Sequence, residues 1–140
     1  MPRRVHKTHI RTKGNQSEKL QDWVHHLINA SKDCIVLVEH KHDADALSDV
    51  GVQDVMWHDE REPGYKLLDR IGDKQCILLF DVDRPSNEKC ERLKQLLEEN
   101  GIKTNTRFRK MLFTTEFKEV GGIRHYFNKH VSVSSRKEVI

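Results

Sequence analysis

The chain has 140 residues, of which 36% are hydrophobic and 34% charged, and its formal net charge at pH 7 is +3. This length suits one domain with its own core, and no apolar run approaches the roughly 20 residues that span a bilayer. We therefore expect a single globular domain without a membrane partner, and we see no secretory signal. Its three cysteines, Cys34, Cys76 and Cys90, fit neither a disulfide framework nor a zinc spacing, which favours buried thiols in a reducing, cytoplasmic setting.

Positive charge is concentrated at the two ends of the sequence. Residues 1–13 carry five Lys and Arg and no acid, and residues 101–140 carry nine against three acids, whereas residues 14–100 carry eleven against nineteen. Basic ends of this kind either contact a nucleic-acid backbone or are solvated tails. The predicted division is a basic arm, one domain and a tail, at residues 1–14, 15–130 and 131–140.

The domain opens with an amphipathic helix and a buried strand. Ser17 is a plausible N-cap for a helix that runs to about Lys32. The apolar stripe of this helix consists of Leu20, Trp23, Val24, Leu27 and Ile28. Cys34–Val38 is a continuous apolar run rich in β-branched residues, which predicts a strand buried on both faces. This strand ends in the carboxylate of Glu39.

Three shorter elements follow before the middle of the chain. Asp43 is the expected N-cap of a short helix that ends at Gly51, a natural C-cap. Residues 54–57 form a shorter strand candidate, and the polar loop after it closes with proline and glycine. Residues 65–71 then show the apolar spacing of a second short helix.

The central strand of the predicted sheet is the four-residue apolar run Ile77–Phe80. It stops abruptly at Asp81 and Asp83, which are separated by one residue. The longest clean helix pattern follows, with Ser86 or Asn87 as its cap. A run of four apolar residues bounded in this way is typical of a strand in a parallel α/β sheet.

The last part of the chain is basic and less regular. Residues 102–106 form a weak strand candidate, and short helix patterns lie near Phe108 and near Tyr126. The whole order of elements, α-β-α-β-α-β-α-β-α, predicts an α/β fold with a mainly parallel sheet of about four strands, flanked by helices on both faces.

Three carboxylates end apolar strands and form the candidate site. On an extended strand, Asp81 and Asp83 project to the same side, and Glu39 joins them if the two strands are neighbours. A cluster of oxygen ligands suits Mg²⁺ or Mn²⁺, which take the rest of their shell from water and substrate phosphates. The alternatives are that either aspartate caps the next helix and that Glu39 is a solvated loop acid.

Two of these segments resemble the Toprim domain, which is shared by topoisomerases, bacterial-type primases, OLD-family nucleases and the ribonuclease that matures 5S rRNA. Residues 39–47 read Glu-His-Lys-His-Asp-Ala-Asp-Ala-Leu after one hydrophobic strand, and residues 81–84 read Asp-Val-Asp-Arg after another. The resemblance covers roughly residues 33–105. It implies a Toprim-like, Rossmann-like fold and Mg²⁺-dependent chemistry on phosphodiesters.

The resemblance also implies roles for single residues. Glu39 matches the glutamate proposed in that family as a general acid/base or metal ligand, and Asp81 and Asp83 match the pair that holds Mg²⁺. Asp43 matches an acid that commonly follows the glutamate, and Arg84 a basic residue that often trails the second aspartate. We expect a further residue, Lys41, to act with Arg84 in neutralising charge on the phosphate oxygens.

The chain departs from the Toprim pattern in two places. His40 stands where the family usually has glycine, and Pro85-Ser86 stands where a small, glycine-containing turn is usual. A side chain at position 40 narrows the approach of a phosphate to the backbone, or adds a titratable group of its own. His40 and His42 could also ligate a transition metal beside Glu39, although histidines spaced in this way in polar loops are usually solvated.

These patterns predict a Mg²⁺-dependent nuclease (hydrolase) or phosphoryl-transfer enzyme that processes nucleic acid, with structured RNA favoured over DNA. The alternatives are a non-catalytic nucleic-acid-binding module and a subunit of a primase or nuclease assembly, and a homodimer or a partner protein is compatible with either. The residues expected to contact the nucleic acid are Arg3, Arg4, Lys7, Arg11, Arg107, Arg109 and Lys110.

Overall fold

A computed structural model of the protein describes residues 12–113, with side chains from residue 18 to residue 112. Helices and strands alternate along this part of the chain, as predicted. The helices are α1 (Thr12–Ala30), α2 (Lys41–Asp49), α3 (Gly64–Ile71), α4 (Arg84–Glu99) and α5 (Arg107–Phe113). The strands are β1 (Cys34–Val38), β2 (Val55–Trp57), β3 (Gln75–Leu78) and β4 (Thr104–Asn105).

The four strands form one sheet in the order β2-β1-β3-β4, and every neighbouring pair is parallel. In the centre of the sheet, Ile35 of β1 pairs with Cys76 of β3, and Leu37 pairs with Leu78. The predicted α/β class with a parallel sheet is therefore confirmed. Because β1 and β3 are neighbours and run the same way, whatever follows them in sequence arrives at the same edge of the sheet.

Helices cover both faces of the sheet, so both central strands are buried on both sides. On one face, α1, α2 and α5 pack on Val36 and Ile77, and Trp23 of α1 donates a hydrogen bond from its indole nitrogen to the Phe108 carbonyl at 2.9 Å. On the other face, α3 and α4 pack on Leu37 and Leu78. Burial on both sides explains why β1 and β3 read as unbroken apolar runs rather than alternating ones.

Three predicted helix starts are wrong. Helix α1 begins at Thr12, five residues before the predicted cap at Ser17, so part of the predicted basic arm is helical. Helix α2 is capped by His40 rather than by Asp43, which is buried within the first turn. Helix α4 is capped by Asp83, whose side chain accepts a hydrogen bond from the Ser86 amide, so neither Ser86 nor Asn87 is the cap.

Other predictions fall on residues that the structure does not describe. These are residues 1–11 of the arm, the helix pattern near Tyr126 and the tail at residues 131–140. Within residues 12–113, no helix is long and apolar enough to cross a membrane.

Cys34, Cys76 and Cys90 all lie buried as free thiols in the core, as the sequence predicts. Burial raises the pKa of all three thiols, and that of Cys76 to about 12. Because the thiolate is the reactive form, we expect all three to react with an aromatic disulfide reagent at pH 8 far more slowly in the native protein than in denaturant. A thiol that reacts at the free-cysteine rate before unfolding would contradict this packing.

Candidate active site at the carboxyl edge of the sheet

The carboxyl ends of β1 and β3 bring two predicted carboxylates together. Glu39 directly follows β1, and Asp81 lies three residues beyond the end of β3. Ligand atoms of Glu39, Asp81 and His40 all lie within 4.8 Å of one another. We call these three residues the edge cluster. Glu39 is 8% exposed, so the cluster is not a patch of freely solvated acids.

Helix α4 supplies two donors that hold the Glu39 carboxylate. The Ser86 hydroxyl donates to Oε1 at 2.7 Å, and the Lys89 ammonium lies 3.2 Å from Oε2. Lys89 also contacts Oε2 of Glu60 at 2.8 Å, on the loop after β2. The hydrogen bond to Glu60 is the main reason that the pKa of Lys89 lies above its ordinary value. Glu39 is therefore oriented from both oxygens, and Lys89 is shared between two acids.

Asp83 is not part of the edge cluster in this structure, whereas the sequence predicts that Asp81 and Asp83 face one ion. Its Oδ1 accepts a hydrogen bond from the Ser86 amide at 2.9 Å, and this bond is the main cause that lowers the pKa of Asp83. The physical reason is that β3 ends at Leu78 and residues 82–83 form a bend. Two residues separated by one project to the same side only while the backbone stays extended. One alternative drawn from the sequence, an aspartate as helix cap, is correct for Asp83.

His40 and His42 form a stacked pair beside the cluster. Their ring centroids lie 5.3 Å apart with an interplanar angle of 9°. Nε2 of His40 lies 3.8 Å from Oε2 of Glu39, and the side chain is 48% exposed. Nε2 of His42 lies 3.3 Å from Oδ1 of Asp43. The imidazole at position 40, where the Toprim pattern has glycine, therefore faces the carboxylates.

Asp43 lies behind the cluster in the protein interior. Its side chain is 1% exposed, and its Oδ2 is buried without a hydrogen-bond partner. Burial raises the pKa of Asp43, while the nearby imidazoles of His42 and His40 act in the opposite direction. Since it is closed off from solvent, Asp43 is placed to support the two histidines rather than to touch a substrate.

Lys41 and Arg84 are exposed and occupy the first positions of α2 and α4. The Lys41 ammonium lies 3.9 Å from Oδ2 of Asp45, one turn further along α2. Both helices begin at the carboxyl edge of the sheet, beside Glu39 and Asp81. The two predicted charge-neutralising residues therefore begin helices at the same edge of the sheet as Glu39 and Asp81.

Arg109 is buried, which corrects its prediction as a surface contact for nucleic acid. Its guanidinium donates to the carbonyls of Phe80, at 2.9 Å, and Asp81, and to the side-chain oxygen of Asn87. It thereby ties α5 to the end of β3 and to the first turn of α4. Arg107 and Lys110, on the same short helix, are exposed. The predicted contacts Arg3, Arg4, Lys7 and Arg11 lie outside the described residues.

Sequence reasoning missed two residues that hold Glu39, Ser86 and Lys89, and a buried histidine of a neighbouring pocket, His58. Ser86 and Lys89 are one turn apart on α4, so they share a helix face, but only the fold shows that this face meets Glu39. His58 follows β2 and lines a pocket of about 270 Å³ together with Lys89 and Arg92. Burial lowers the pKa of His58, and its Nδ1 is buried without a partner. No signal in the sequence distinguishes His58 from the other histidines.

We expect Lys89→Met to lower the free energy of unfolding by about 1–3 kcal/mol, because it leaves the buried Glu39 with one donor fewer. Lys94→Met on the same helix is the matched control, since Lys94 pairs with Glu98 at 3.5 Å on the surface and such pairs contribute little. Urea denaturation of both variants measures the difference. Equal losses would contradict the importance of the Lys89–Glu39 contact.

Together, the fold and the site define an α/β protein with a carboxylate–imidazole cluster between two neighbouring parallel strands. No protein-family model matches the chain. A protein of Methanocaldococcus jannaschii described as UPF0292 protein MJ1624 is 26% identical over 120 residues, which cover 81% of this chain and 94% of that relative. A solved structure of a protein from Aquifex aeolicus has the same fold, with a TM-score of 0.69 and 27% identity over 73% of this chain and 95% of that protein.

Proposed function

We propose that the protein is a divalent-metal-dependent phosphodiesterase of the Toprim type that acts on nucleic acid, with structured RNA favoured over DNA. One observation carries this proposal. Glu39 and Asp81, which match two of the Toprim acids, converge with His40 within 4.8 Å at the carboxyl ends of neighbouring parallel strands. Ligands of open α/β sheets bind at this edge.

The residues of the edge cluster fit a divalent ion. Two carboxylates and one imidazole would hold the ion, and water or phosphate oxygens would complete its coordination shell. When bound, Mg²⁺ or Mn²⁺ would polarise the phosphate and offset the charge that develops on its oxygens.

The contacts of Glu39 indicate its part in the chemistry. Donors face both of its oxygens, the Ser86 hydroxyl at 2.7 Å and the Lys89 ammonium at 3.2 Å. We therefore assign Glu39 as an ion ligand or as the group that moves a proton to or from the attacking or leaving oxygen.

Phosphate would meet positive charge at this edge from the chain itself. The N-termini of α2 and α4 both lie here, and helix N-termini attract anions through their free amides and their dipole. Lys41 and Arg84 are exposed at these same positions. They are suited to neutralise the equatorial oxygens of the phosphate during displacement.

Exposed bases beside the site support nucleic acid as the partner. Arg107 and Lys110 lie on α5, the helix whose Arg109 contacts the Asp81 carbonyl. A polyanion bound along this helix would lie near the edge cluster. The logarithm of its affinity would fall linearly with the logarithm of the salt concentration. Three buried free thiols accord with a cytoplasmic location.

A cleavage assay tests the proposal directly. End-labelled RNA hairpins and DNA hairpins of the same sequence are incubated with the full-length protein in Mg²⁺, in Mn²⁺ and in EDTA. We expect metal-dependent cleavage that is faster on RNA and absent in EDTA. Cleavage that continues in EDTA, or none on any substrate with either ion, would overturn the proposal.

A second candidate function is a nucleic-acid-binding module without chemistry, working alone, as a homodimer or within a primase or nuclease assembly. The observation that favours it is the Lys89 ammonium, which already neutralises Glu39 at 3.2 Å. This candidate predicts salt-sensitive RNA binding that does not change with Mg²⁺ or with loss of Glu39 and Asp81. A filter-binding titration with and without Mg²⁺ separates it from the first.

A further inference from the structure

We propose that His40 is the third protein ligand of the metal centre, and that its imidazole makes the site prefer first-row transition ions such as Mn²⁺ over Mg²⁺. The inference rests on the proposed function and specifies the ion that the site takes. The inference starts from the third residue beside Glu39 and Asp81, which is His40 and not the expected Asp83. Asp83, the expected third ligand, is engaged by the Ser86 amide at 2.9 Å, and His40 stands beside Glu39 and Asp81 instead.

The distances in the edge cluster are close to those between ligands of one ion. Ligands in adjacent positions around an octahedral ion with bonds of about 2.1 Å stand about 3 Å apart, and opposite ligands about 4.2 Å. The three donor atoms lie within 4.8 Å of one another, and Nε2 of His40 is 3.8 Å from Oε2 of Glu39. The side chains would have to move closer together before all three donors bind one ion.

The His40 ring is also supported from behind. It stacks on His42 at 5.3 Å and 9°, and His42 lies 3.3 Å from the buried carboxylate of Asp43. The stacked ring of His42 restricts the orientation of the His40 imidazole, as partners of metal-binding imidazoles commonly do. Asp43 in turn keeps one oxygen buried without a partner, a cost that a nearby cation would reduce.

Lys89 does not prevent entry of an ion. It contacts Oε2 of Glu39 at 3.2 Å, but it lies closer, at 2.8 Å, to Oε2 of Glu60. When a divalent ion takes over Oε2 of Glu39, the ammonium keeps an acidic partner and is not left unpaired. Glu60 thus keeps the Lys89 ammonium paired when a divalent ion binds Glu39.

The change of donor explains the preference. Mg²⁺ binds oxygen almost exclusively and holds its waters tightly, whereas imidazole is a common ligand of first-row transition ions. A site of three carboxylates would suit either ion. With one oxygen donor replaced by nitrogen, affinity for Mn²⁺ rises relative to Mg²⁺, and two carboxylates still provide enough negative charge.

Pulsed EPR of Mn²⁺ bound to the full-length protein tests the proposal, because a directly bound imidazole nitrogen modulates the electron spin echo. We expect ¹⁴N modulation in the native protein and in His42→Ala, and none in His40→Gly. Isothermal titration with Mn²⁺ and with Mg²⁺ gives the second readout. His40→Gly should lose roughly tenfold or more in Mn²⁺ affinity, with a much smaller change for Mg²⁺. Asp81→Asn, which removes a neighbouring ligand, should weaken both ions.

The outcomes separate this inference from the proposed function. Bound Mn²⁺ without ¹⁴N modulation, or modulation that persists in His40→Gly, overturns His40 as a ligand and leaves the carboxylate centre intact. Absence of Mn²⁺ and Mg²⁺ binding at millimolar concentrations overturns both. Glycine is well tolerated at a helix cap, and circular dichroism of His40→Gly checks that the loss of signal is not a loss of fold.

Discussion

Glu39→Gln is expected to abolish metal-dependent cleavage while the protein remains folded. Glutamine keeps the shape of the side chain and an oxygen that can accept a hydrogen bond from the Ser86 hydroxyl, which lies 2.7 Å from Glu39 in the native protein. It removes the negative charge that an ion would bind, and it places an amide donor where Lys89 approaches. Loss of an ion ligand or of a proton-transfer group should lower the cleavage rate by about 10²–10⁴-fold.

The stability of this variant should change little. Glu39 loses its ion pair with Lys89, but the buried charge that needed the pair is removed as well, and Lys89 retains Glu60 at 2.8 Å. The two effects oppose each other, so we expect less than about 1.5 kcal/mol in the free energy of unfolding. Activity and stability are thus separable at this position, which makes the substitution a test of chemistry.

Two further variants complete the test. Asp81→Asn should cause a loss of cleavage similar to that of Glu39→Gln, because both acids belong to the edge cluster. Asp69→Asn is the matched control, since Asp69 is an exposed acid on α3 and its change alters the net charge equally. Initial rates of hairpin cleavage in Mn²⁺ measure all three. If Glu39→Gln and Asp81→Asn both cleave at the native rate, the edge cluster has no part in the mechanism.

The sequence alone predicts the sheet and the convergence of Glu39 and Asp81, because both depend on short segments. Cys34–Val38 was confirmed as a strand to the residue, and Ile77–Phe80 overlaps the second central strand, β3. Unbroken apolar runs imply burial on both faces, burial on both faces implies a parallel sheet, and parallel neighbours deliver Glu39 and Asp81 to one edge. Each step uses only local composition and a general rule of topology.

The remainder of the site could not be predicted, since it depends on contacts between distant segments. Asp83 lies outside the cluster because the chain bends after β3. The spacing of Asp81 and Asp83 carries no information about where the strand stops. Lys89 meets Glu39 across 50 residues, and Arg109 meets Asp81 across 28. A basic residue in a short helix pattern looks the same in sequence whether it faces solvent or a buried carbonyl, so the sequence predicts a surface position for Arg109.

Arg109→Met is expected to destabilise the protein by about 2–4 kcal/mol, the largest effect on folding among the substitutions considered. The guanidinium satisfies the carbonyls of Phe80 and Asp81 and the side chain of Asn87. Methionine fills a similar volume and has no donor, so these acceptors, at the junction of β3, α4 and α5, lose a charged partner. Hydrogen bonds to charged groups contribute more than neutral ones, and three acceptors are affected together.

Guanidinium chloride denaturation measures the effect as a fall in the midpoint with an unchanged slope. Arg107→Met is the control, because Arg107 is exposed on the same helix and should lose less than about 0.5 kcal/mol. Arg109→Lys should fall between the two, since an ammonium keeps the charge but cannot reach separated acceptors with a planar fork. Equal midpoints for Arg109→Met and Arg107→Met would show that Arg109 does not hold the end of β3. In that case the backbone of Asp81 would be positioned by its other contacts alone.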